Sequence, residues 1–135
     1  MIKLITGKKG SGKTKILIDQ INESVKSTNG SVVCVEKGST VRYSISRKAR
    51  WCDTEYYKVE GYDAFYGFIA GLLASNYDIT DIYVDGIFKI GGRDYTAFGK
   101  MLENIDKLTG EDVSIVFTVS ADVEELSENV KQFIK

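Results

Sequence analysis

The chain has 135 residues, of which 43% are hydrophobic and 27% charged, with a net charge of −1. These proportions are typical of one globular domain, so we expect residues 1–135 to form a single domain. The absence of histidine, with only Cys34 and Cys52 as thiols, disfavours a transition-metal site or a disulfide framework. No apolar run approaches bilayer length, and glycines interrupt any leader, so we expect a cytoplasmic protein with no membrane span.

An apolar strand and a glycine-rich loop open the chain. Residues 2–6 predict a buried strand, and the next eight match G-x-x-x-x-G-K-[ST]: Gly7, Lys8, Lys9, Gly10, Ser11, Gly12, Lys13 and Thr14. Glycines let backbone N–H groups close around a phosphate, and the helix that follows points its positive dipole end at the same anion. We predict that all eight residues bind a nucleotide, with Lys13 reaching the β- and γ-phosphates as a catalytic residue and Thr14 ligating Mg²⁺. The alternative is a strand-to-helix turn that binds nothing.

A helix and a second strand are predicted next. Apolar residues recur at helical spacing from about residue 12 to residue 27, on a face made of Leu17, Ile18, Ile21 and Val25. Asn29 and Gly30 favour a helix end. The run SVVCVE at residues 31–36 then predicts a second buried strand.

Residues 37–60 carry two weaker signals. Residues 40–45 and 54–59 are rich in β-branched and aromatic side chains, so they could form a small β excursion at the sheet edge. From residue 37 to residue 50 there are five basic side chains and no acid, whereas residues 103–128 hold eight acids and one lysine. This asymmetry predicts partners, copies of the same chain among them.

The helix predicted at residues 62–76 is apolar nearly all round. One face holds aromatic and branched side chains, and the opposite face holds alanine, glycine and a phenylalanine instead of charges. A helix of this kind is buried, either on the sheet of its own domain or against another chain. Both readings remain open, so the helix is a candidate surface for an oligomer or a protein partner.

The second half of the chain repeats the pattern of strand and helix. We predict a strand at residues 79–85, a loop at 86–93, an amphipathic helix from Tyr95 to Leu108 closed by Gly110, a strand at 113–119 and a last helix capped by Ser120. Apolar strands that alternate with helices predict an α/β fold: a mostly parallel sheet of about four to five strands, covered by helices on both faces.

Polar residues end the predicted strands, at the edge where parallel sheets bind ligands. Asp85 follows Ile82-Tyr83-Val84 and is the candidate that helps to hold Mg²⁺; otherwise it is a turn residue before Gly86. Glu36 is the candidate general base for an attacking water, or else a solvated glutamate. Ser120 could bond the γ-phosphate or that water, or serve only as a helix cap.

The glycine-rich loop, followed by strands that end in Glu36, Asp85 and Ser120, resembles the core of RecA-like P-loop ATPases, the additional-strand class. The resemblance implies a three-layer P-loop NTPase fold, water activation by Glu36, which follows Lys13 by 23 positions, and phosphate and metal roles for Lys13, Thr14, Asp85 and Ser120. The phrases VVCVEKG and GFIAGLLASNYDITDIYVDG also resemble small stand-alone bacterial ATP-binding proteins, sometimes described as twitching-motility-type ATPases. The histidine-bearing motifs of motility ATPases cannot occur in a chain without histidine, and we also expect the fifth core strand usual in RecA-like domains to be missing.

The leading hypothesis is therefore an ATP-binding, Mg²⁺-dependent ATPase of low intrinsic activity, acting in an oligomer or with a partner. The alternatives are a non-hydrolysing nucleotide-dependent switch or regulatory module and a small-molecule kinase. ATP is favoured over GTP because no Asn-Lys-x-Asp signature occurs. Nucleic-acid binding is disfavoured, since five basic residues in one segment are not a domain-wide basic face.

Rapid phosphoryl transfer usually needs an arginine at the γ-phosphate. Nothing in the sequence indicates such an arginine within the same chain. A neighbouring subunit could supply one, or the arginines could be a solvated face; the candidates are Arg42, Arg47, Arg50 and Arg93.

Overall fold

The structure is a computed structural model, which describes residues 1–134. Its strands and helices, in chain order, are β1 (Ile2–Gly7), α1 (Lys13–Ser27), β2 (Ser31–Glu36), β3 (Arg50–Asp53), α2 (Tyr62–Ser75), β4 (Ile79–Asp85), α3 (Ile87–Gly91), α4 (Tyr95–Thr109), β5 (Ser114–Ser120) and α5 (Glu128–Lys131), with a 3₁₀ turn at Val123–Glu125. Among these residues, none of the helices has the length and apolar character needed to cross a bilayer.

The five strands form one sheet in the order β1-β5-β4-β2-β3, and every pairing is parallel. The predicted α/β class with a parallel sheet of four to five strands is therefore confirmed. Because the strands are parallel, their carboxyl ends all lie at one edge of the sheet. The ends of β1, β5 and β4 are neighbours there, with β2 next in line.

Alternating side chains of the strands build a core on each face of the sheet. Val33 and Val35 of β2 point into a large core, which α2, α3, α4 and α5 cover. Val32 and Cys34 point into a smaller core, covered by α1 and by residues 41–49. Helices thus lie on both faces, as the alternation of strands and helices predicts.

The two strands predicted at residues 40–45 and 54–59 are wrong, although a strand at the sheet edge does lie within residues 37–60. Residues 40–45 form turns, in which the Ser44 N–H donates to the Val41 carbonyl at 3.0 Å. Residues 54–59 also turn, closed by a 2.9 Å bond from the Val59 N–H to the Thr54 carbonyl. The extended residues at the sheet edge are instead those of β3, which pairs with β2. The sheet therefore has five strands, and the expectation that a fifth strand is missing is wrong.

Two predictions for the second half need correction. The predicted loop 86–93 contains the short helix α3. Ser120 does not cap a helix, because it is the last residue of β5, and the polypeptide after it forms only the 3₁₀ turn and the four-residue α5.

The predicted helix at residues 62–76 corresponds to α2, but it is buried on one face only. Tyr62, Phe65 and Ile69 pack into the larger core. The outer face, which includes Ala64, Gly67, Gly71 and Ala74, is exposed.

Candidate functional site

The loop between β1 and α1 depends on glycine. Gly10 and Gly12 have φ angles of 83° and 90°, in the left-handed region that disfavours other residues. At Gly7 a Cβ atom would lie 2.6 Å from the Ser11 hydroxyl, so the turn is too tight for a side chain there. The Ser11 N–H closes the loop on the Lys8 carbonyl at 3.1 Å. The first turn of α1, which contains no acidic side chain, begins directly after Gly12.

Lys13 is folded back onto this loop. Its Nζ donates to the Lys8 carbonyl at 2.7 Å and to the Ser11 hydroxyl at 3.4 Å, and the residue is only 7% exposed. Burial lowers the pKa of the Lys13 ammonium, and the charge of Asp85 raises it in part. Within residues 1–134, no carboxylate forms an ion pair with Lys13. A partly desolvated cation without such a partner favours an anion in the same place.

Asp85 lies where two hydroxyl groups meet. Thr14 Oγ1 donates to the Asp85 carboxylate at 3.2 and 3.3 Å, and Thr118 Oγ1 donates to its Oδ1 at 2.8 Å. The Gly86 N–H in turn donates to Thr118 Oγ1 at 2.8 Å. The structure thus brings Thr14 and Asp85 together, the two residues predicted to share Mg²⁺.

Thr118 is a site residue that sequence reasoning missed. It is only 2% exposed and lies in the interior of β5, on the face that also carries Val116. A polar residue within the apolar run VSIVFTV was the available signal, since buried polar groups need partners.

A cavity of about 640 Å³ joins these groups. Its lining comes from the loop, the start of α1, the ends of β4 and β5, and the segment after β4. Four cationic side chains contribute to it, namely Lys9, Lys13, Lys89 and Arg93, against one carboxylate, that of Asp85. Positive charge and backbone N–H groups around a concave surface suit a multiply charged anion.

Arg93 and Ser120 meet at the same cavity. The Arg93 guanidinium donates through Nη1 to the Ser120 carbonyl at 3.1 Å and to the Tyr95 hydroxyl at 3.3 Å, and it lies 5.0 Å from the centre of the Phe88 ring. An arginine of the same chain therefore lines the cavity, although the sequence indicated none. Ser120 also lines it, and its bond to a γ-phosphate or a water stays a prediction.

The other three candidate arginines lie elsewhere. Arg42, Arg47 and Arg50 are exposed, and none of them lines the cavity. The Arg42 guanidinium lies 4.6 Å from the centre of the Trp51 ring.

Glu36 is placed beside Asp85 but is engaged by other groups. It is the register partner of Asp85 on the neighbouring strand, and it is 2% exposed. Its carboxylate accepts bonds from the Thr40 N–H and the Val41 N–H, both at 3.0 Å, and from the Trp51 indole at 2.8 Å. It does not line the cavity. These contacts fasten residues 40–51 to the end of β2, and the general-base role stays a prediction without support from them.

Neither the models of known protein families nor the curated proteins gave a match to this chain. What the site can bind is therefore inferred from its own residues.

Proposed function

We propose that the chain is an ATP-binding P-loop protein of the RecA-like class and a Mg²⁺-dependent ATPase of low intrinsic activity. The observation that carries the proposal is the cavity in which the glycine loop, Lys13 and the Thr14–Asp85 pair converge. The loop amides and Lys13 would bind the phosphates, with the dipole of the fifteen-residue α1 adding to their attraction.

The sheet order supports the P-loop class. The strand that leads into the loop, β1, is separated from the strand that ends in Asp85, β4, by one inserted strand, β5. An inserted strand of this kind is the feature after which the additional-strand class is named. The same insertion places Thr118 next to Asp85.

The residues at the end of β4 fit a magnesium ion. Mg²⁺ prefers oxygen ligands and commonly binds one or two protein groups together with phosphate oxygens. The Thr14 hydroxyl and the Asp85 carboxylate would hold it, with Thr118 orienting the carboxylate. The ion would neutralise charge on the phosphates.

A second function is favoured by the contacts of Glu36. Its carboxylate already accepts three hydrogen bonds and does not line the cavity, so these contacts do not favour Glu36 as the base that activates water. A nucleotide-dependent switch that binds ATP without significant hydrolysis is the corresponding alternative. In either case we propose that the chain works with a partner or as a homo-oligomer, through the exposed Arg42, Arg47 and Arg50 or through the outer face of α2.

Nucleotide binding is tested by thermal unfolding with ATP, GTP and ADP, each with and without Mg²⁺. A ligand at 100 times its Kd stabilises the fold by about 2.7 kcal/mol, which raises Tm measurably. We expect ATP with Mg²⁺ to raise Tm in the wild type, and Lys13→Gln to lose the shift. The control Lys100→Gln removes an exposed lysine of α4 outside the cavity and should keep it. An unchanged Tm with every nucleotide would reject the proposal.

Hydrolysis is tested separately, by phosphate release from ATP with Mg²⁺. A slow turnover that Lys13→Gln abolishes supports the ATPase. Nucleotide binding without turnover supports the switch.

A further inference from the structure

The cavity has cationic side chains on two walls, formed by the segments that follow the strands on either side of β5. Lys9 and Lys13 belong to the loop and to α1, on one wall. Lys89 and Arg93 belong to residues 86–93 after β4, on the other. A polyphosphate held by the loop amides has its contacts on the first wall, and the second wall has no assigned ligand.

The backbone of the second wall is held by buried side chains and by hydrogen bonds to the start of α2. Ile87 and Ile90 are 0% and 5% exposed and anchor α3 in the larger core. The Gly61 N–H donates to the Ile90 carbonyl at 2.9 Å, and the Tyr62 hydroxyl donates to the Gly92 carbonyl. At Gly91 a Cβ atom would lie only 2.2 Å from the Tyr62 ring, so this residue lies flat against α2.

Contacts within the chain hold the Arg93 side chain on this wall. Its guanidinium packs over Phe88, and both of its hydrogen bonds use Nη1 and go to neutral oxygens. Across the described residues, no carboxylate lies within ion-pair distance of Arg93 or Lys89. Arginine has five N–H donors, so the guanidinium can still bind a two-oxygen acceptor such as a phosphate.

The charge balance leaves room for another anion. The four cations and Asp85 give the lining a net charge of about three positives. A nucleoside triphosphate with one Mg²⁺ carries about two net negatives at neutral pH, so about one positive charge stays unmatched. Lys89 and Arg93 belong to the segment after β4 and not to the loop, so we assign that excess to the second wall.

We propose that Lys89 and Arg93 bind a second, small phosphate-type anion, in the same cavity and at the same time as the nucleotide. The anion is either free orthophosphate or the phosphate group of a small organic ester. This inference rests on the proposed function only for the identity of the first occupant.

Isothermal titration tests the second anion. The protein is first saturated with Mg²⁺ and a non-hydrolysable ATP analogue, so that the loop is occupied, and inorganic phosphate or glycerol phosphate is then titrated in. We expect one further binding event in the wild type, weakened about tenfold or more in Arg93→Gln and in Lys89→Gln, since charge-assisted bonds are lost. The control Lys100→Gln removes an exposed lysine of α4 outside the cavity and should bind as the wild type does. A comparison of the two affinities shows whether the second wall prefers free orthophosphate or the phosphate group of an ester.

Three results would overturn the inference. The first is that the saturated protein binds neither anion. The second is that Arg93→Gln weakens binding of the nucleotide analogue itself, which would assign Arg93 to the nucleotide's own phosphates. The third is that the anion binds to both variants as tightly as to the wild type. If the analogue does not bind at all, the proposed function fails instead. Orthophosphate alone, with an affinity that depends on Arg93 but not on Lys13, would then still support the second wall as an anion site.

Discussion

At the residue scale, the orientation of Asp85 depends on Thr118. The Thr118 hydroxyl donates to the carboxylate and accepts from the Gly86 N–H, so it links the end of β4 to the interior of β5. A buried hydroxyl that is fully paired in this way keeps a neighbouring carboxylate in one rotamer. We therefore regard Thr118 as a positioning residue for Asp85 in the Thr14–Asp85 pair.

Thr118→Val tests this role with a side chain of nearly the same shape. The change leaves the Gly86 N–H without its acceptor, so the free energy of unfolding should fall by about 1–3 kcal/mol, measured in urea. A positioning role also predicts that nucleotide binding needs a higher Mg²⁺ concentration in the variant. Thr118→Ser keeps the hydroxyl and should restore the Mg²⁺ dependence. A valine variant with the wild-type Mg²⁺ dependence would leave Thr118 a purely structural role.

Glu36→Gln separates two roles for the buried carboxylate. A glutamine offers one acceptor oxygen in place of two, so at least one of the N–H groups from Thr40, Val41 and Trp51 loses its acceptor. We expect a loss of about 1–3 kcal/mol in unfolding free energy and a change in emission from Trp51, the single tryptophan of the chain. Turnover of ATP that persists in this variant would exclude Glu36 as the base, whereas its collapse in a folded variant would support that role.

The residues of the loop could be predicted because their motif is local, within eight positions of the chain. Arg93 and Thr118 could not be assigned in the same way. Their place in the cavity depends on β5 lying between β1 and β4, and nothing in the sequence states that order. Glu36 ends its strand as predicted, but its carboxylate accepts hydrogen bonds from the segment at residues 40–51.

At the scale of elements, the buried strands were predicted correctly and the strand at the sheet edge was not. β2 and β4 have the predicted bounds because continuous apolar runs between turn signals have few alternatives. β3 consists of only four residues, Arg-Trp-Cys-Asp, and its extended form comes from pairing with β2. Strand propensity depends strongly on such neighbours. Residues 40–45 and 54–59 are rich in β-branched side chains but have no neighbouring strand to pair with, so they form turns.

Two helical glycines should respond in opposite ways to alanine. Gly71 of α2 is exposed with nothing within 4 Å of a Cβ atom, so Gly71→Ala should stabilise the fold by about 0.5–1 kcal/mol. At Gly99 of α4 a Cβ atom would lie 2.1 Å from the Asn129 side-chain oxygen, and the Asn129 amide donates to the Thr96 carbonyl at 3.0 Å. Gly99→Ala should displace that side chain and cost about 1–3 kcal/mol net. Urea unfolding of both variants measures the difference, and equal stabilisation would show that the contact of Asn129 with α4 is not rigid.

At the scale of the whole molecule, charge is divided between two regions of the chain. All five basic side chains of residues 37–50 are exposed, in the segment that covers the smaller core together with α1. The acids of residues 103–128 lie on α4, around β5 and up to α5, and six of the eight are exposed. Surfaces of opposite sign on one chain favour head-to-tail association of copies.

This division predicts a self-association that weakens with salt. Sedimentation velocity should show larger species at about 0.05 M salt than at about 0.5 M, because exposed charges are screened over shorter distances as ionic strength rises. Arg47→Glu and Glu124→Lys should each reduce association, whereas Lys3→Glu, which reverses an exposed charge on β1 outside both regions, should not. An equimolar mixture of the first two variants should associate again, since the new glutamate of one chain can face the new lysine of the other. Monomers at every salt concentration, or an association that both reversals leave intact, would contradict an electrostatic contact between copies.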